Sequence, residues 1–381
     1  MKGRITDHKN RNLAKLHEDV AFGRANGEII WQPRIQCWLT DKQFAGEKLP
    51  EPYEGKTKPE IYRELGCSAR VYEYNESFYP IDGPGIKRYE NKLSETRTEH
   101  VIDTPVGKVT LVTEKTPSSP HAITKKWWAE NKEDIKVFTY IAENGDWGWN
   151  EDYFQKTKKE WGNLGAPTIF MPRVNVQNLY IDIMGVEKAV YALMDYEAEI
   201  ERYFKALDEY HSRMIKCINK SPINIINFGD NLHCGTLPPY YFEKYVQPSY
   251  LERCKQLHEG GKFVYSHWDG DTKALLPFAK TCGLDGIEAI TPKPQGDVTL
   301  EEVKEALGDD IYLVDGIAAV LFDEIYHEEE LIEQTEELIR LFKDKLILGI
   351  SDEISSTGDI ERVKTVGRIV DDYNASLNIN K

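Results

Sequence analysis

Long apolar runs are missing from this sequence. Nothing approaches the roughly 20 consecutive apolar residues that a membrane-spanning helix needs, and Met1 to Val20 is polar and charged, without the apolar centre of a secretion signal. The expected location is therefore cytoplasmic. Cysteine is scattered rather than grouped. Cys37, Cys67, Cys217, Cys234, Cys254 and Cys282 form no CxxC pair, so they read as free thiols, mostly small core residues, and not as a disulfide framework. Basic clusters are also lacking. With 48 Lys and Arg against 64 Asp and Glu, the net charge is −16, which argues against nucleic acid as a partner because phosphate binding needs grouped cations. There is no internal repeat, no low-complexity linker, and no GxGxxG following a first strand, which counts against an open dinucleotide-binding sheet.

What is present fits a folded protein: 381 residues, 40% hydrophobic and 29% charged, enough for one large barrel with an extension. The character changes near residue 160. Residues 1–160 read as an N-terminal extension that also supplies early barrel elements, and residues 161–381 as the main barrel part. Within the extension, Thr96–Ile102, a turn at Thr104-Pro105-Val106-Gly107, and the alternating Lys108–Thr113 predict a β-hairpin. The tryptophans at 127, 128, 147 and 149 are expected to pack the extension onto the main body, with a wall of an aromatic-binding pocket as the alternative.

From about residue 165 short apolar runs alternate with amphipathic stretches. The runs are Thr168–Met171, Ile223–Phe228, Phe263–Tyr265, Gly286–Ile290, Ile311–Val314 and Leu346–Ile350. Helical periodicity covers Glu187–Tyr196, Glu197–Lys216, Pro239–His258, Lys273–Thr281, Leu300–Ala306, Glu328–Phe342 and Ile360–Asp372. Such alternation means a parallel sheet with helices outside. Glu28–Trp31 and Arg70–Tyr74 would bring the strands to eight, so the expected fold class is α/β, a (β/α)8 TIM-type barrel.

The apolar runs end on polar residues. Phe228 leads to Gly229-Asp230-Asn231, Tyr265 to Ser266-His267-Trp268-Asp269, Val314 to Asp315, and Ile350 to Ser351-Asp352. In a parallel barrel these ends converge on one face, where barrel active sites lie. Singly, such aspartates also serve as helix caps. Glu288 does not fit that reading, because it stands inside an apolar run and a buried, unpaired carboxylate costs several kcal/mol. No basic residue precedes it in its own run. A metal held by His267, Glu288 and Asp352, with Asp269 as a fourth ligand, would meet that cost. Imidazole and carboxylate suit zinc in an open site, with manganese and iron as alternatives.

His267-Trp268-Asp269-Gly270, Gly286-Ile287-Glu288, Pro292-Lys293-Pro294-Gln295-Gly296-Asp297 and Leu348-Gly349-Ile350-Ser351-Asp352 together resemble the uroporphyrinogen decarboxylase-like superfamily over residues 160–381. Within it the chain is similar to the branch of methyltransferases that work with corrinoid proteins. That branch has His-x-Cys and a later Cys on zinc. Cobalamin-independent methionine synthase resembles the same arrangement and adds a Glu between them. This chain has Asp269 and Asp352 where the cysteines would stand. An oxygen-rich site makes a harder Lewis acid, suited to an oxygen-bearing substrate.

The resemblance therefore implies a component that demethylates a methyl ether, with a methoxyaromatic as the expected donor, and passes the methyl to a corrinoid-binding protein. Asp230 and Asp315 take the catalytic places, Asp230 as the acid for the leaving oxygen, with Tyr180 or Tyr240 as alternatives. Asn231, His233 and Trp268 take the substrate-binding places, with an ordinary loop role for His233 and simple packing for Trp268 as the alternative readings. A homodimer is a further expectation. The competing readings are a metal-independent lyase of the decarboxylase type and a non-catalytic binding barrel. A single arginine in Trp31-Gln32-Pro33-Arg34-Ile35-Gln36 and an acidic mouth fit a polycarboxylate substrate poorly.

Overall fold

The computed structural model describes residues 11–379. Among these the strands are, in chain order, β1 (Ile30–Trp31), β2 (Phe78–Ile81), β3 (Lys87–Lys92), β4 (Arg97–Thr104), β5 (Gly107–Thr116), β6 (Ser119–Lys126), β7 (Asp146–Trp149), β8 (Thr168–Met171), β9 (Ile225–Leu232), β10 (Phe263–Trp268), β11 (Gly286–Glu288), β12 (Tyr312–Ala318) and β13 (Leu346–Ser351). β1, β13, β12, β11, β10, β9 and β8 form one parallel sheet in that spatial order.

Residues 68–71 bring its two edges together. Ser68 N–H donates to Trp31 O (2.9 Å) and Ala69 N–H to Leu164 O (3.0 Å), and Val71 makes a single parallel bridge to Pro167. The curled sheet is thus a TIM-type barrel of eight staves. Helices Val186–Asp195, Glu197–Lys220, Gln247–Glu259, Leu300–Leu307, Glu328–Phe342 and Glu361–Ile379 follow the later staves. The sequence marks several of their ends. Thr299 and Glu302, for example, form a capping box at the start of Leu300–Leu307.

Two expectations are corrected. Arg70–Tyr74 is not a full strand, because Tyr72–Ser77 coils into a 3-10 helix. The Asn75 side chain takes over the ladder there, donating to Phe170 O (3.0 Å) and accepting from Phe170 N–H (2.9 Å). Lys273–Thr281 holds only the short turn Leu276–Phe278. Pro277 lacks the amide that a longer helix would use.

The hairpin of the extension is β4 paired with β5, closed where Thr104 faces Gly107. β3 and β6 extend it to a four-stranded antiparallel sheet. Ile102 and Val109, register partners on one face, join the core, and Val101 on the opposite face is also buried, whereas β3 is exposed along its length. Of the tryptophans, Trp147 packs across onto Tyr210 and Trp127 lies against Gly185, whereas Trp128 on Phe138 and Trp149 on Phe78 and Phe154 pack within the extension itself. Among the described residues no helix is long and apolar enough to cross a membrane, and all six cysteines are free.

Candidate functional site

β9, β10 and β12 run further than the apolar runs indicate, so His267 and Asp315 stand inside the ladder, and Asp230 falls in an irregular stretch of β9 between the Phe228–Ser266 and Leu232–Trp268 pairs. On the regular strands, alternation then decides which way a side chain points. On β10, Ser266 turns outward to Tyr250 (Oγ to OH, 2.7 Å), and His267 turns inward. His267 is the register partner of Glu288 on β11. Its Nδ1 donates to Glu288 Oε2 at 2.7 Å. Its Nε2 points the other way, 3.9 Å from Asp269 Oδ1 and 3.7 Å from Asp352 Oδ1. One ligand atom from each of His267, Asp269 and Asp352 lies within 4.8 Å of the other two.

Glu288 is buried as the sequence implies, but a metal is not what neutralises it. Arg70, across the barrel, pairs with it through Nη1 and with Asp315 through Nη2 (2.6 Å). Asn227 Nδ2 donates to Glu288 Oε2 (2.8 Å) and Tyr72 OH to Oε1 (3.2 Å). The expected ligand role of Glu288 is therefore corrected: its oxygens are taken, and it holds the imidazole from behind. Burial would raise the Glu288 carboxyl, but Arg70 and His267 bring it well below the usual carboxylate range. Burial alone would lower His267, and the facing Glu288 more than reverses this, leaving the imidazole above its ordinary 6.5.

The donor set fits a metal ion on one observation above others. Asp269 Oδ1 is buried and has no hydrogen-bond partner, and burial pushes the Asp269 carboxyl up. Asp352 Oδ1 likewise lacks a hydrogen bond. Arg34 Nη1 does approach it to 2.5 Å, an ion pair without hydrogen-bond alignment. A nitrogen and two carboxylate oxygens opening on one point would make an open three-ligand site, with Glu288 orienting the histidine from its second nitrogen.

The other expected site residues are spread apart. Asp230 accepts from Val174 N–H (2.6 Å) and from the Tyr250 hydroxyl, the same hydroxyl that meets Ser266. It therefore lies on the outer face of the sheet, away from His267, and its catalytic assignment is corrected to a structural one. Asp230→Asn should leave ion uptake at the His267 group intact while costing about 1–3 kcal/mol through the disturbed buried hydrogen bonds, which paired metal titration and thermal unfolding would check.

Asp315 points inward but is enclosed and shared with Arg70. Burial, partly opposed by Arg70, pushes it up to about 6. It does not belong to the open group around His267 Nε2. Trp268 is fully buried with its ring edge-on to Phe242 (5.4 Å), so it packs the core rather than a substrate. Tyr180 is buried and Tyr240 is largely exposed. His233 does come close: its Cβ is 3.8 Å from where a Gly270 Cβ would stand. Asn231 adopts a positive φ of 52°, and its carbonyl accepts from Gln177 Nε2 (2.9 Å).

Sequence reasoning missed Arg70, Arg34, Tyr72 and Asn227 as site residues. Arg34 and Tyr72 also line a cavity of about 390 Å³ walled by Tyr62, Tyr153, Trp161 and Phe170. Tyr72 stacks on Phe170 with ring centroids 3.6 Å apart. Arg34 joins this cavity to the His267 group. A larger groove of about 550 Å³ runs between helices Glu197–Lys220 and Gln247–Glu259 on the outside of the barrel. None of the residues that line it belongs to the His267 group.

A family model described as uroporphyrinogen decarboxylase (URO-D) matches residues 178–373. No curated protein matches the sequence. Among solved structures, the chain is similar to a methyltransferase from Methanosarcina mazei at 13% identity and a TM-score of 0.56, with 93% of this chain and 97% of that chain covered. It is also similar to a B12-independent methionine synthase from Shewanella sp. W3-18-1 at 13% identity and a TM-score of 0.43, covering 91% of this chain and 88% of that one. At these identities the first likeness is one of fold.

Proposed function

The chain belongs to the uroporphyrinogen decarboxylase family, and from that premise we propose that it takes a methyl group from the ether oxygen of a methoxylated aromatic compound and passes it to a corrinoid carried by a separate protein. The observation that carries this reading is the buried, unpartnered Asp269 oxygen beside His267 Nε2 and Asp352. A carboxylate atom so placed is costly unless a cation completes it. His267, Asp269 and Asp352 are the assigned ligands, and zinc is the expected ion. Once bound, such an ion acts as a Lewis acid on the leaving oxygen. The fold shared along most of the chain with a methyltransferase supports methyl transfer.

The protein's own residues then have distinct tasks. Glu288 keeps the imidazole proton on Nδ1, so that the Nε2 lone pair faces the open side. Arg70 keeps Glu288 ionised for that purpose. The Tyr72–Phe170 stack and the other rings of the adjoining cavity suit a planar aromatic donor. Decarboxylation of a polycarboxylate is less well supported. The cations lining the cavity are already engaged: Arg34 with Asp352 and Glu353, Lys58 with Glu73, and Arg70 with Glu288 and Asp315.

The test is metal analysis of the purified protein, joined to incubation with methoxyaromatics and a reduced corrinoid followed by absorbance. The expected result is about one zinc per chain and methylation of the corrinoid. A metal-free protein with full activity would refute the scheme, and carbon dioxide release without methyl transfer would favour the lyase. Ion uptake should strengthen as pH rises through the His267 value, since the ion and a proton compete for Nε2. Because Glu288 holds that value above 6.5, the weakening at acid pH should set in earlier than for an ordinary histidine site. Zinc titration across pH checks this.

A further inference from the structure

We infer that Arg34 is an internal counter-ion of the metal site: it holds Asp352 when no ion is bound and must release that carboxylate for an ion to enter. This rests on the reading of His267, Asp269 and Asp352 as ligands.

Arg34 lies three residues past the end of β1, and its side chain is 14% exposed. Its guanidinium spans two neighbouring carboxylates. Nη1 lies 2.5 Å from Asp352 Oδ1, and Nη2 lies 3.2 Å from Glu353 Oε1. Nη1 is also 3.5 Å from His267 Nδ1. Glu353 is anchored separately by the Cys37 amide (2.6 Å). Arg34 therefore has a second partner to stay with when the first is withdrawn.

Charge balance points the same way. Two guanidiniums, Arg34 and Arg70, face five carboxylates: Asp269, Glu288, Asp315, Asp352 and Glu353. Arg70 serves the inner pair, Glu288 and Asp315. Arg34 serves Asp352 and Glu353, and Asp269 receives neither. The shortfall lies where the three ligand atoms converge. A dication seated there would draw on the Asp352 carboxylate whose Oδ1 Nη1 now contacts and which also lies 3.7 Å from His267 Nε2, and two cations at one carboxylate repel each other strongly at contact distance. Asp352 is the more exposed of the two partners, at 45% against 16% for Glu353, so it is the one freer to change partners. Arg34 thus acts on the site through Asp352 and is a positioning residue.

The experiment is a zinc affinity measurement on the full chain by chelator competition, with cobalt(II) absorbance as a spectroscopic readout of the ligand set. Arg34→Gln should bind zinc more tightly, on the order of tenfold, because the competing charge is gone. Glu353→Gln should bind it several-fold more weakly, because Arg34 then has only Asp352 to hold; this second variant keeps the test open should the first fold poorly. Equal or weaker binding by Arg34→Gln, or no change in Glu353→Gln, overturns the inference while leaving the metal reading in place. Absence of zinc binding by both the native chain and Arg34→Gln overturns the metal reading and this inference with it.

Discussion

Replacing Arg70 with methionine should destabilise the chain by about 3–5 kcal/mol, the range for breaking a buried ion pair from one side. The reason is where its partners sit. Arg70, Glu288 and Asp315 are all enclosed, so removing the guanidinium strands two carboxylates away from water. Methionine fills similar space and isolates the charge effect. The loss should show as a lower denaturant midpoint.

The pH dependence gives a second handle. In the native chain Glu288 is held below its unfolded value, so its stabilising contribution is present above pH 4.5 and is lost as pH falls through the folded value. Without Arg70, burial dominates and both carboxyls are pushed up. The cost of the substitution should then be greatest at neutral pH and shrink in mild acid, where protonation removes the stranded charge. Neutralising the partners together with Arg70, as Glu288→Gln and Asp315→Asn, should recover much of the loss. A cost that does not vary with pH would mean that packing, not charge, sets the effect.

His267→Ala should abolish stable ion binding and lower methyl transfer by a factor on the order of 10² to 10³. His267 supplies the one nitrogen of the donor group, and its loss leaves Asp269 and Asp352, the second of which Arg34 already holds. Glu288→Gln is the informative companion. It preserves shape but weakens the hold on Nδ1, and a loss of about 10- to 100-fold in metal affinity is expected for a partner of a ligating histidine. Unfolding midpoints must accompany these measurements, because Glu288 also compensates Arg70. Full ion binding in His267→Ala would remove the histidine from the site.

Much of this was readable in advance. Thr168–Met171 and Glu328–Phe342 form the elements their periodicity indicates, because apolar spacing over such runs leaves few alternatives. The burial of Glu288 and its need for a partner are legible in the run Gly286–Ile290. The identity of the partner is not, because it lies outside that strand. In a closed barrel the interior is shared by all staves, and the neutralising cation comes from residue 70, a separation of 218 along the chain. No local pattern carries that information. Asp230 shows a second limit. Once the strand continues past the apolar run, a position near its end can face either way. The register sets His267 beside Glu288, while Asp230, in the irregular stretch of its strand, meets Tyr250 instead.

The stave at residues 68–71 is held to its neighbours by few backbone contacts. Yet it carries Arg70, whose charge reaches across the lumen to β11 and β12. The barrel is thus laced shut along its loosest seam by electrostatics instead of by a peptide ladder. Any breathing of that seam would pull on the same carboxylate that steadies the histidine, so amide exchange in this stave and the affinity of the mouth for cations should rise and fall together.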